Sequence, residues 1–182
     1  MKLKLANVRL SFPQLWEAAT FNGEGKATFS ASFIIDPADP QIETINAVME
    51  KVAADKWGAK AEAMLKQIRA KDASFLHDGD NKPNIAGYPG NFYISARNPV
   101  RPTVLDRDKS PLIESDGKPY GGGYVNAGLD ILAQENGFGK RINASLMGVQ
   151  FVRDGEAFTG GGSASVDDFD EVDEGADAYD FV

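Results

Sequence analysis

The sequence predicts a mainly β domain that carries a helical insertion (α+β), followed by a separate acidic segment. Two observations predict the domain: runs of alternating apolar and polar residues near both ends of residues 1–159, and one stretch of helical periodicity over 41–71 that interrupts them. A third sets the boundary. Eight of the 27 acids lie from Asp167 onward, where there is no Lys or Arg, so 19 acids balance 19 bases in residues 1–159 and the whole net charge of -8 belongs to the last segment.

Lys2 to Leu10 alternates as a strand, with Leu3 and Leu5 in one phase and Val8 and Leu10 in the other. The slip at Ala6-Asn7 is what a β-bulge produces. Lys26 to Asp36 is a clearer strand, in which Ala27, Phe29, Ala31, Phe33 and Ile35 oppose Thr28, Ser30, Ser32 and Ile34. Asp36-Pro37-Ala38-Asp39-Pro40 stops it and primes a helix. Ile42, Ile45, Val48, Met49 and Val52, and after Gly58 the set Ala61, Met64, Leu65 and Ile68, keep helical spacing, so 41–71 reads as one interrupted helix or a helix pair with a core-facing stripe.

Asp78 to Gly90 is turn-rich and reads as a long surface loop. Asn91 to Asn98 reads as a strand, with Phe92, Ile94 and Ala96 opposing Tyr93, Ser95 and Arg97. A polar loop over 106–120 precedes a strand from Tyr124 to Ala133, a reversal at Gln134–Gly139, and a strand from Lys140 to Arg153. Short strands with glycine-bearing turns point to a small barrel or sandwich. An OB-fold-like five-stranded barrel with an enlarged helical insertion accommodates the order, although periodicity alone does not close the sheet. Thr159 to Ser165 reads as a flexible linker, and 160–182 as an acidic tail with too few apolar groups to fold. The expected division is therefore 1–159 and 160–182.

Composition narrows the chemistry. No apolar run has the length of a membrane span, the start lacks a signal peptide's apolar stretch, and there is no cysteine, so an unprocessed intracellular chain is expected. His77 is the sole histidine and reads as a loop residue without a role; no nucleophile elbow or Walker loop is present. Gly121-Gly122-Gly123 precedes strand-like residues, not the helix start that a phosphate cradle needs. Asp106, Asp108, Glu114 and Asp116 alternate with Arg107, Lys109 and Lys118 and read as a solvated loop. No enzyme activity, cofactor or metal site is expected.

Binding of a nucleic-acid single strand needs aromatic rings for the bases and cations along the phosphates. The candidates are Tyr93, Arg97, Arg101, Arg107, Tyr120, Tyr124, Phe138, Lys140 and Arg141, where aromatic and basic residues alternate along the chain. The tail end, Asp177, Tyr179, Asp180, Phe181 and Val182, is a candidate for docking partner proteins, because a solubility tail has no need of an aromatic terminus. As a tethered polyanion it also competes with DNA for a basic groove.

The stretch Tyr120 to Asn126, with Ala133 to Leu146 and Gly148 to Phe151, resembles a bacteriophage family that includes single-stranded DNA-binding proteins. The resemblance covers most of residues 1–159 and is most specific over 120–153. It implies an OB fold, binding of single-stranded DNA without strong sequence preference, and work in DNA replication, recombination or repair in the cytoplasm of an infected bacterial host. The tail is similar to those of other such proteins, except that Val182 follows the phenylalanine. Replication or recombination proteins are the expected tail partners, and a homo-oligomer is compatible with the sequence. Two other classes compete: a phage structural or assembly protein, and a DNA-mimicking inhibitor acting through its acids.

Overall fold

The first strand, β1 (Lys2–Phe21), is long enough to serve two neighbours in turn. Its first half pairs antiparallel with β6 (Tyr124–Asn136), from Lys2 opposite Asp130 to Arg9 opposite Tyr124. Its second half pairs with β2 (Glu24–Ile35), from Arg9 opposite Ile34 to Phe21 opposite Glu24. The strand changes partner because it is bulged. One register shift falls between Leu5 and Val8, where Asn7 has φ 51°, and another between Ser11 and Gln14, where Phe12 has φ 47°. This computed structural model describes residues 1–21 and 23–158; the linker and acidic tail expected at 160–182 lie outside the described residues.

After β2, α1 (Gln41–Trp57) and α2 (Ala61–Ala70) are separated by a single 3₁₀ turn at Gly58–Lys60. Ile45, Met49, Val52, Leu65 and Ile68 are buried with the barrel interior, as their spacing requires. The chain continues through β3 (Leu76–Asp78), β4 (Phe92–Asn98), β5 (Thr103–Leu105), β6 and β7 (Gly139–Arg153). The sheet order is β3-β4-β2-β1-β6-β7-β5, and a further parallel pairing of β4 with β7 closes β4, β2, β1, β6 and β7 into a five-stranded, OB-fold-like barrel. Leu5, Leu10, Phe33, Ile94, Leu129, Ile131, Ile142, Leu146 and Phe151 fill it from all five walls. Among the described residues no helix is long and apolar enough to cross a membrane.

Several expectations need correction. The first strand runs on to Phe21, because the bulge at Phe12-Pro13 resets its alternation and its far end, Glu17 to Thr20, is exposed and needs no apolar face. The six-residue reversal expected over 134–139 is only two residues, Gly137-Phe138, since the ladder pairs Gln134 with Arg141 through Asn136 with Gly139. The strands β3 and β5, three residues each, show too little periodicity to read. Tyr88, inside the expected surface loop, is only 2% exposed: its O–H donates to the Ser11 Oγ at 3.3 Å, and the loop folds down on the sheet's outer face.

Candidate nucleic-acid interface

The barrel closes through little contact. β4 and β7 share one bridge, Arg97 opposite Ser145, and diverge beyond it. The segment leaving α2 fills the gap: Ser74 bridges Ile142 of β7, the Ile142 N–H donates to the Ala73 carbonyl at 3.1 Å, and the Ser95 N–H of β4 donates to the Phe75 carbonyl at 3.0 Å. The helical insertion thus ends as the floor of a groove on the barrel's outer face.

That groove has a volume of about 610 Å³ and is lined from four directions: His77 from β3; Tyr93, Ser95 and Arg97 from β4; Arg141, Asn143 and Ser145 from β7; and Lys82 from the loop above. Strand alternation explains the β4 set, since Ile94 and Ala96 face the core and their neighbours face out. Arg97 and Arg141 are exposed, and neither forms a salt bridge among the described residues. Among the described residues the one carboxylate at the rim, Asp72, is held by His77 Nδ1 at 2.7 Å. The Asn143 amide donates to Gln134 Oε1 at 2.6 Å.

Tyr93 faces outward as the alternation predicts, but it is only 5% exposed. Its ring stacks on His77 at 4.9 Å and on Tyr88 at 4.5 Å between centroids, and Lys82 Nζ lies 5.4 Å from its centroid. Burial, reinforced by the Asp72 carboxylate and then by Tyr88, pushes the Tyr93 phenol above its ordinary value, so it remains a neutral donor. Tyr93, stacked between His77 and Tyr88, therefore backs the groove and supports His77, whose side chain is 16% exposed in the lining.

Past Arg141 the surface continues into a smaller recess of about 250 Å³ formed by Lys71, Phe138, Lys140 and Arg141. Phe138 stands at the tip of the β6–β7 hairpin, 97% exposed. Lys140 lies 3.5 Å from Glu135, whose carboxyl is held below its usual range first by the Trp57 indole N–H and then by Lys140.

Five of the nine sequence candidates, Tyr93, Arg97, Phe138, Lys140 and Arg141, are thus brought onto one surface. The other four lie elsewhere. Arg101 donates to the Trp16 carbonyl at 2.8 Å and lines a separate recess with Val104 and Ile113. The Arg107 guanidinium sits 5.6 Å from the Phe151 ring centroid. Tyr120 donates to Asp154 at 2.8 Å, and Tyr124 lies under the Arg153 guanidinium at 3.6 Å. The sequence also left out His77, Lys82 and Lys71. His77 stands in a strand too short to show alternation, and the two lysines flank turns where no period marks a face.

The Gly121-Gly122-Gly123 run has a structural use. A Cβ on Gly122, at φ 105°, would overlap the Glu156 carbonyl, and one on Gly155 would overlap the Gly122 carbonyl. The Phe158 N–H donates to the Gly121 carbonyl at 3.0 Å, and Arg9 clamps the pair by donating to the Gly122 and Glu156 carbonyls at 3.1 and 2.6 Å. The end of the described chain is thereby laid beside Ile34, Tyr88 and Tyr93.

With this geometry in place, comparison with known proteins is decisive. The family model of the Enterobacter phage Enc34 ssDNA-binding protein matches residues 1–181. The chain belongs to this family. The Enc34 protein solved in complex with ssDNA is similar at 29% identity and TM-score 0.74, covering 87% of this chain and 89% of that one. Its C-terminal truncation is similar at 30% identity and TM-score 0.69, covering 86% and 88%. A protein of Acyrthosiphon pisum secondary endosymbiont phage 1, described as putative protein p50, is 47% identical over 175 residues, covering 94% of each chain. The resemblance noted over 120–153 thus extends through the family to the whole barrel. In this chain part of that stretch is scaffold: the glycines and Tyr120 hold the chain's exit from β7.

Proposed function

We propose that the chain binds single-stranded DNA, with little sequence preference, in the groove between β3, β4 and β7 and onward to the Phe138 hairpin. The observation that carries this is the convergence of Lys82, Arg97 and Arg141 with the stacked His77–Tyr93 pair on the outer face of the barrel closure. Cations along a groove follow phosphates, and hydroxyls, amides and ring faces receive bases of any sequence. In OB folds the face of the second and third barrel strands and the hairpin between the last two are where oligonucleotides bind. Here β2 and β4 are that pair and β6 and β7 carry that hairpin, so the groove adjoins the face through β4 and runs to the hairpin along β7. A fold shared with a protein solved in complex with ssDNA supports the assignment.

On this reading residues 1–159 are the DNA-binding domain, and 160–182, ending in Asp180-Phe181-Val182, recruit replication or recombination proteins in the cytoplasm of an infected bacterium. The role is binding, without catalysis. The test is a salt titration with single-stranded and duplex oligonucleotides. Preference for the single strand, with affinity falling linearly on a log–log salt plot, is expected; equal affinity for both forms would overturn it.

A further inference from the structure

An exposed phenylalanine by itself calls for no explanation. Phe12 is 62% exposed, and its setting is unusual: its φ is 47°, in the left-handed region, and Pro13 follows it. A Cβ disfavours that backbone, and a following proline pushes a residue toward extended conformations instead. Two local preferences are overridden to present an apolar ring to water. Bulges at barrel rims commonly re-aim one side chain next to a binding site, and this residue sits in the register shift between Ser11 and Gln14.

The strand register shows what the ring is aimed toward. Gln14 of β1 stands opposite Ser30 of β2, and Ser30 opposite Arg97 of β4. Cross-strand partners share a face, so these three form a row on the outer face that leads from the groove's Arg97 to β1. Arg97 and Gln14 are exposed and Ser30 is half-buried, so the row is open and polar along its length. Two strand spacings separate its ends, about 10 Å. The parallel row of Ser11, Ser32 and Ser95 lies on the same face, with Tyr88 bonded above Ser11. Phe12 meets Tyr88 edge-on, at 6.4 Å and 82°, which leaves it standing beside the end of this path.

We propose that Phe12 is a base-stacking platform, receiving a base of the strand after it leaves the groove past Arg97 and crosses Ser30. This rests on the assignment of the groove to single-stranded DNA and adds its exit direction and a further contact. The backbone at Phe12 sets the ring against Tyr88 in a T-shaped contact while leaving most of it exposed, so that a base can stack on it.

The test compares Phe12→Gly with Arg97→Ala in the full-length protein, using an oligothymidylate of about 12 nucleotides. Glycine removes the ring and tolerates φ 47°, so Phe12→Gly is expected to unfold no earlier than the parent. Its affinity is expected to fall about 5- to 150-fold, the cost of losing one stacked base. Stacking releases no counterions, so its salt slope is expected to match the parent's, whereas that of Arg97→Ala becomes shallower. Phe12→Trp is expected to bind and to gain a tryptophan signal that DNA quenches. Parental affinity in Phe12→Gly overturns the platform, as does a loss explained by unfolding or by a shallower salt slope. Altered self-association with unchanged DNA affinity also overturns it, by making Phe12 a contact between copies. If Arg97→Ala and Arg141→Ala also bind like the parent, it is the groove assignment that fails; if they weaken and Phe12→Gly does not, the platform alone fails.

Discussion

Arg97 on β4 and Ser145 on β7 face each other across the single parallel bridge at which the barrel closes. The strands diverge from this point, and their outward side chains, Tyr93 and Ser95 on one strand and Arg141 and Asn143 on the other, become the two walls of the groove. A longer ladder would have left a flat sheet here. The geometry of closure and that of binding are therefore the same feature.

Neutralising Arg97 or Arg141 should each make the log–log salt slope for single-stranded DNA shallower by about 0.7. Arg101→Ala should leave it unchanged, because that side chain is committed to the Trp16 carbonyl away from the groove. Fluorescence titrations at several salt concentrations measure all three.

Tyr93→Ala should destabilise the domain by about 3–5 kcal/mol, since it empties a buried aromatic site and removes the stack between Tyr88 and His77. Tyr93→Phe keeps ring and packing and should retain both stability and binding. Urea unfolding distinguishes the two variants.

Alkaline pH should weaken the fold through Tyr93. Its phenol is raised above 10.0, chiefly by burial, so the unfolded chain loses that proton before the folded one does. The stabilisation is complete below pH 10 and is lost as pH climbs toward the raised value. The midpoint of urea unfolding should fall more steeply above pH 10 in the parent than in Tyr93→Phe.

Gly122→Ala should cost about 3 kcal/mol, combining a left-handed backbone with overlap on the Glu156 carbonyl. The docked segment 154–158 should then exchange its amide protons faster than in the parent. Equal protection in both would show that the glycine is not what seats the segment.

Removing residues 160–182 takes the formal charge from -8 to 0 and should tighten DNA binding, most at low salt where screening is weakest. Binding at 50 mM and 300 mM salt compares the two chains. Weaker binding by a folded truncation would place the tail within the binding surface.

Much of the fold was legible because alternation and helical spacing record which side of an element meets the core. Phe29, Phe33, Ile94 and Leu146 are buried where their patterns put them, and the helix pair breaks at Gly58. The site was less legible. Outward residues such as Arg97 and Arg101 look alike in sequence, four positions apart, yet one lines the groove and the other caps Trp16. His77 gave no periodic signal from a three-residue strand, and Tyr88 looked like a loop residue although its ring is buried on the sheet.

The sequence by itself determined the alternating strands, the helical insertion, the strand faces of Tyr93 and Arg97, and the concentration of net charge after residue 160. Each depends on local spacing or composition, which a linear pattern preserves. Only the tertiary structure decided which basic and aromatic residues share a surface, that Tyr93 supports His77 instead of standing exposed, and that Phe12 is turned outward at a bulge. Those outcomes depend on barrel closure and strand register, which pair residues such as Arg97 and Ser145 from distant parts of the chain and leave no periodic trace in either segment.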